Sequence, residues 1–270
     1  MRVVSKIHRA IFGRPLFHKF NSRLFHLALH GLGVLNYQND TVSGERYLLK
    51  KWLPTVIRRA NPTFLDVGAN VGDYSLQLLE QFPTCFVHAF EPHPKNYSRL
   101  IVNGFPSDRA KCHNVALGAT ESSLLLYDHA DGDGSQHASL HEATITEFHE
   151  AASVGTAVPV RTLDEVAAQE QISYIDFVKI DTEGHELAVL TGASRLLREG
   201  RIGYIQFEFN SLHVFSRVFF RDFRNALADY ELYRLLPKGL LHLDADITMT
   251  EIFGFQNILA VPKAAARRQI

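Results

Sequence analysis

Between residues 63 and 262 the spacing of apolar residues changes repeatedly. Runs such as "TFLDV" (63–67), "CFVHAF" (85–90), "IDFVKI" (175–180) and "IGYIQFEF" (202–209) are almost continuously apolar. Such runs fit strands buried on both faces. Between them, "VGDYSLQLLEQF" (71–82), "PKNYSRLIVNGF" (94–105) and "HELAVLTGASRLLREG" (185–200) carry apolar residues at helical intervals, the last ending on Gly200. Units of strand plus helix recurring every 20–25 residues or so predict an α/β fold. Its sheet should be doubly wound and mostly parallel, with helices on both faces. Further strands are expected at "KCHNVALG" (111–118), "SSLLLYD" (122–128), "YELYRLL" (230–236) and "FQNILAVP" (255–262), and one at "AVPVR" (157–161) leading into a helix capped near Thr162. A helix is expected around 216–229. The polar stretch 129–156 reads as a long loop or lid with one short helix.

Ahead of this core, residues 3–30 show mostly helical spacing, interrupted at Gly13–Pro15. A glycine turn follows in "HGLGVLNY", then a helix through Tyr47, Leu48, Trp52 and Ile57. Ser43 reads as its N-cap, Glu45 as a first-turn acid facing the helix dipole, and Pro54 as a kink or break. The organisation expected is therefore a basic helical cap over 1–60, a catalytic domain over 61–263 and a tail at 264–270.

Charge sharpens that division. The chain of 270 residues has a net charge of −1, yet residues 1–60 hold eleven Lys and Arg against Asp40 and Glu45. That segment carries roughly +9 and the remainder about −10, a split that hints at an anionic partner for the basic part. A helical cap packed on the acidic domain is the first reading, on the strength of the aromatic and aliphatic content. Peripheral contact with an anionic membrane surface is the second. Nucleic acid is not expected, since no basic and aromatic stacking platform is evident. Cys85 and Cys112 exclude a disulfide framework and read as free thiols in a reducing compartment, so a cytoplasmic location is expected. No apolar run approaches the roughly 18 residues of a membrane span.

Candidate chemistry begins at "FLDVGANVGDYS" (64–75). Here Asp66 is set into the end of a buried strand, and Gly68 and Gly72 flank a small polar residue, Asn70, before a helix. Dinucleotide enzymes place Gly-x-Gly-x-x-Gly at this position so that backbone amides reach a pyrophosphate. An aspartate immediately before the turn would repel a pyrophosphate but suits an ammonium group. That combination points to S-adenosylmethionine. Glu91, at the end of the second strand in "VHAFEP", is placed to accept hydrogen bonds from both ribose hydroxyls. Past the fourth strand, "KIDTEGHE" (179–186) sets Asp181, Glu183, His185 and Glu186 close together. Transfer to a hydroxyl needs the acceptor oxygen positioned and a proton removed. Asp181 and His185 are the candidate base pair, with Glu208, from the next strand end, clamping a hydroxyl. A second reading has Asp181, Glu183 and Glu208 holding Mg²⁺. Glu186 reads as a helix cap, and His88, His113 and His213 as structural or exposed.

"FLDVGANVGDYS", "AFEPHPKNYSRL", "NVALG" and "IDFVKIDTEGHELAVLTGA" together resemble the FkbM-type S-adenosylmethionine-dependent methyltransferases over roughly residues 60–210. The segment "LHGLGVLN…SGERYLL" is also similar to what precedes the domain in many members. The resemblance implies a class I, Rossmann-like fold and O-methylation of a sugar or secondary-metabolite hydroxyl. It also implies that Asp66, Gly68, Asn70 and Gly72 hold the methionine end, Glu91 the ribose, and that Asn114 lies near the adenine. The competing readings are an NAD(P)-dependent oxidoreductase, disfavoured by the glycine spacing and Asp66, and a cofactor-binding module without turnover.

Overall fold

The computed structural model describes residues 2–129 and 153–266. Eleven strands are seen among them: β1 Thr63–Val67, β2 Phe86–Phe90, β3 Ala110–His113, β4 Ala116–Leu117, β5 Ser122–His129, β6 Ser153–Arg161, β7 Ile175–Ile180, β8 Ile202–Phe209, β9 Tyr230–Leu236, β10 Gly239–His242 and β11 Gln256–Pro262. Eight of them form one sheet in the order β10-β9-β11-β8-β7-β1-β2-β3, and β4, β6 and β5 form a second, smaller one. From β3 to β8 all neighbours are parallel, while β11 runs antiparallel to both β8 and β9. Strand order reverses between β1 and β7, so a crevice opens at their C-terminal ends.

The near-continuous apolar strands are those buried on both faces, and all six residues of β7 are buried. Alternate residues feed two cores. Leu65, Val178, Ile205 and Phe207 pack under the helices Leu163–Gln169, Glu186–Thr191 and Phe220–Ala226. On the other face Phe64, Phe177 and Leu259 meet the helix Asp73–Gln81 and a segment ahead of β1, through Leu48, Leu49 and Leu53.

Local details depart from the sequence reading for identifiable reasons. "KCHNVALG" is two strands, because Asn114 Nδ2 donates to the Glu91 and Pro92 carbonyls and the chain then leaves β2 to join the small sheet. The helix expected over 185–200 is broken at Gly192, where a Cβ would lie 2.0 Å from the Gly118 carbonyl oxygen. Its second half starts afresh, with Asp164 accepting from the backbone N–H groups of Arg195 and Leu196. Thr162 caps the preceding helix as expected, in a reciprocal box with Glu165. Residues 153–156 of the expected loop belong to β6 instead, and 130–152 lie outside the described residues. The helix expected at 216–229 is two, Leu212–Ser216 and Phe220–Ala226, and β10 was not anticipated.

The segment ahead of β1 divides in two. The helix Arg2–Phe12, a tight turn at Pro15–Phe17 and the helix His18–Gly31 follow the expected pattern. Their apolar residues are not core-forming, however: no residue from 3 to 28 is buried, and Leu29 is the first that is. Beyond it, Val34, Leu48, Leu49 and Leu53 are all buried. The N-cap in this region is Asn39 rather than Ser43, its side chain accepting from Thr41 and Val42. At Pro54 the helix does not stop. A π turn over Leu48–Trp52, with Leu53 N donating to the Leu48 carbonyl, runs directly into the helical turn Leu53–Val56.

Fully buried Arg234 fastens this segment down. Its guanidinium donates to Gln256 Oε1 at 2.7 Å, the Leu32 carbonyl at 3.2 Å and the Met249 carbonyl at 3.0 Å. Burial lowers its pKa to about 10.

Candidate active site

A cleft of about 950 Å³ lies at the C-terminal ends of β1, β2, β7 and β8. It is bounded by the turn after β1, the "DTEGH" loop after β7, the end of β8, and Leu35, Tyr37 and Glu45 from the N-terminal segment.

The turn after β1 is built against β7. Gly68 has φ +84°, and a Cβ there would lie 1.8 Å from the Asp181 carbonyl oxygen. The amides of Gly68 and Ala69 both donate to the Phe90 carbonyl, so the turn is also tied to β2. Asn70, at φ 51°, lines the cleft. Gly72 does not: its missing Cβ makes room for Phe105 and Leu100 behind the turn. Asp66 is fully buried, with Oδ2 accepting from Ser75 Oγ at 2.7 Å and Oδ1 without a hydrogen-bond partner. Burial raises its pKa, against the pull of Lys179 and Ser75. A cationic donor in the cleft would satisfy that oxygen.

Glu91 is buried at the end of the next strand. Its Oε2 accepts from Asn70 N at 2.9 Å and its Oε1 from His93 N at 2.8 Å. Burial pushes its carboxyl up to about 7, opposed by those two amides. Asn114 is exposed and does not line the cleft, although its successor Val115 does, with Phe90, Leu117 and Leu126. Asn114 shapes the turn after β2 through the two carbonyls it binds.

A polar row crosses the sheet beneath the cleft. Asp66 on β1 is in register with Lys179 on β7, which is in register with Gln206 on β8. Lys179 Nζ donates to Asp181 Oδ2 at 2.7 Å and sits 5.1 Å from the centre of the Tyr74 ring. Burial would lower its pKa, but Asp181, Asp66 and Glu45 outweigh that and raise it above the usual lysine value. Gln206 accepts from the Tyr74 hydroxyl and donates to Glu45 Oε1 and Asn257 Oδ1, each at 2.9 Å. Glu45, read from sequence as a helix-terminal acid, thus reaches the floor of the site. Lys179 joins it there, and its one signal in the sequence is a lysine inside the apolar run "IDFVKI".

The acidic residues after β7 divide by role. Glu186 is fully buried and accepts from the Thr182 and Gly184 amides, with His213 Nε2 3.0 Å from its Oε2. Although burial opposes ionisation, His213, its own backbone amide and that of Thr182 lower its pKa on balance. Together they clamp the "DTEGH" loop, in which Glu183 sits at φ 54°. Asp181, Glu183, His185 and Glu208 all line the cleft. Glu208 Oε1 accepts from Asn210 Nδ2 at 2.5 Å. Burial, then Asp181 and Glu183, raise the Glu208 carboxyl well above the usual range. Among the described residues, no group of three or more His, Cys, Asp or Glu is arranged to hold a metal ion. His88 and His113 stand apart, stacked on each other with Nδ1 and Nε2 3.1 Å apart.

Comparison with known proteins gives a family match over residues 66–235, to the methyltransferase FkbM domain. The 2-O-methyltransferase NoeI of Sinorhizobium fredii is 24% identical over 193 residues, covering 69% of this chain and 79% of NoeI. The hexuronic acid methyltransferase AglP of Haloferax volcanii is 33% identical over 135 residues, 49% of this chain and 50% of AglP. A crystal structure of an FkbM methyltransferase from Methylobacillus flagellatus KT matches 79% of this chain and 47% of that one, at 18% identity and a TM-score of 0.47.

Proposed function

This chain belongs to the FkbM methyltransferase family and is an S-adenosylmethionine-dependent methyltransferase, and from that premise we propose how its cleft works on a carbohydrate hydroxyl. The observation that carries the reading is the partition of the cleft. Towards β2 it is walled by Phe90, Val115, Leu117 and Leu126, apolar surface that suits a flat base. Towards β8 and β11 it is walled by Asp181, Glu183, Glu208, Asn210 and Asn257. Several acids and amides converging on one volume suit an acceptor rich in hydroxyls. The two named relatives, a 2-O-methyltransferase and a hexuronic acid methyltransferase, support a sugar acceptor.

The residues fit the methyl donor. Asp66, with its unpartnered oxygen, would hold the ammonium, the turn at Gly68–Asn70 the methionine end, and Glu91 the ribose. When bound, S-adenosylmethionine supplies an electrophilic methyl group carried on a sulfonium. The chain has to orient the acceptor, exclude water and take a proton. Oδ2 of Asp181 is engaged by Lys179, so this carboxylate is fixed in place and serves to position the acceptor. Glu208 takes the proton: it lines the cleft beside Asp181, and burial, then Asp181 and Glu183, raise its carboxyl, so that its ionised form is a strong base for a carboxylate. His185, lining the same cleft, is the alternative base.

Glu208→Gln tests this directly. Turnover of labelled methyl groups onto a panel of uronic acids, nucleotide sugars and glycolipids should fall by about 10²–10⁴. The wild-type rate should rise with pH through a carboxyl shifted upward, and the variant should lose that rise. A full rate in Glu208→Gln with loss in His185→Ala would transfer the role to the histidine. Abolition by chelator, restored by Mg²⁺, would favour the metal reading over Asp181, Glu183 and Glu208. Absence of transfer to every sugar, with transfer to other hydroxyls, would overturn the acceptor class.

A further inference from the structure

The helices Arg2–Phe12 and His18–Gly31 are well built yet cover nothing. Their corner is specified: Phe12 packs against Phe17 and Phe20 with ring centres 5.0 and 5.2 Å apart, and Asn21 Nδ2 donates to the Phe12 carbonyl at 2.9 Å. A defined corner holds both helices out from the domain. Along the first, Val3, Val4, Ile7 and Ile11 recur at intervals of three and four and make one apolar stripe. Phe20, Leu24 and Leu27 do the same along the second. All are exposed, Val4 at 71% and Leu27 at 69%, and Leu16 at the corner reaches 86%. Exposed apolar stripes of this kind on a folded protein mark a docking site.

Charge selects the occupant. The first 39 residues contain Arg2, Lys6, Arg9, Arg14, Lys19 and Arg23 and not one Asp or Glu. Two copies meeting through this face would bring twelve such cations together, which opposes self-association. A surface that is apolar and uniformly cationic complements an anionic lipid leaflet, where alkyl side chains enter the acyl boundary while Lys and Arg reach the phosphates. The helices, of 11 and 14 residues, are shorter than the roughly 20 needed to span a bilayer. No helix among the described residues is long and apolar enough to cross one.

We propose that residues 2–28 are a docking surface that lays the protein on an anionic membrane, without crossing it. Leu35 and Tyr37, a few residues beyond the second helix, line the cleft, so only a short stretch of chain joins the docked helices to it. The proposal concerns where the protein sits and stands independently of the methyl-transfer reading.

The test is co-sedimentation of the full chain with vesicles, read alongside its oligomeric state by sedimentation velocity. Vesicles of phosphatidylcholine alone should retain little, and those with about one-third phosphatidylglycerol should retain most, released by high salt. Lys6→Gln with Arg9→Gln should weaken binding about thirtyfold, at the usual worth of two juxtamembrane cations. Ile7→Ser with Leu24→Ser should abolish it without changing the melting temperature, because both side chains are exposed. Equal binding to neutral vesicles, or none to either, would overturn the proposal. So would a stable dimer that Ile7→Ser with Leu24→Ser dissociates, since the face would then be a contact between copies. Binding is measured without acceptor or methyl donor, so failure of the catalytic reading leaves this result unaffected.

Discussion

Asp66 has one oxygen bonded to Ser75 and the other bonded to nothing in the protein, at the floor of a cleft. Leaving a buried carboxylate oxygen unsatisfied costs stability, and a bound ammonium recovers it. Asp66→Asn keeps the shape and an oxygen for Ser75 but removes the charge. Calorimetry with S-adenosylmethionine should show affinity reduced by about 1.5–3 kcal/mol, the worth of a hydrogen bond to a charged group. The apo variant should melt no lower than wild type, because a carboxylate destabilised by burial is gone. Equal affinity in a folded variant would remove Asp66 from the cofactor site. At this scale Asp66 and Glu91 were legible in the sequence, because each closes an apolar run before a turn. Glu45 was not. Its partner Gln206 is 161 residues away, and only strand register sets Lys179 and Gln206 in one row.

The unit of strand, turn and helix at β1 depends on one position having no side chain. Gly68 combines a left-handed backbone with a neighbouring carbonyl 1.8 Å from where a Cβ would be. Gly68→Ala should therefore lose more than the about 1–3 kcal/mol of backbone strain, since β1 and β7 must also separate. Gly200 is the control: at φ +63° with nothing within 4 Å of its Cβ position, alanine there meets strain alone. Urea melts of the two variants should rank Gly68→Ala well below Gly200→Ala; equal midpoints would refute the close-packed turn. Elements were legible in sequence wherever one period ran unbroken, as in β1, β2, β7 and β8. The division of 185–200 was not, although Gly192 was in plain view. What breaks the helix is the approach of Gly118, just past β4 and 74 residues earlier in the chain, and no local pattern carries that.

At the scale of the molecule the N-terminal 57 residues are two things joined end to end. No residue from 3 to 28 is buried, whereas Leu48, Leu49 and Leu53 are at most 1% exposed and lie on the core beside Phe64 and Phe177. Full burial of three leucines contributes about 5–9 kcal/mol, comparable with the whole stability of a typical domain. Removing residues 2–28 should leave the thermal midpoint within a few degrees of wild type. Removing residues 2–57 should leave no cooperative transition in calorimetry. A large loss from the shorter deletion would mean that the exposed helices support the domain after all. The charge division in the sequence pointed to a separate basic segment, but not to where along it packing begins.

Arg234 gives that arrangement an order in time. It reaches back 202 residues to the Leu32 carbonyl, and Leu35 N donates to the Phe255 carbonyl, close to the last strand. During synthesis residues 29–57 emerge early, yet the groups that bond Leu32 and Leu35 are translated late. Leu48, Leu49 and Leu53 share a core with Phe64, Leu78 and Leu79, but its other members, Leu235 and Leu259, come only with β9 and β11. Contacts of such long sequence separation form slowly and leave apolar surface open to aggregation. Chains arrested anywhere before residue 234 cannot close this clasp, so nascent fragments of that length are the ones that chaperones should bind.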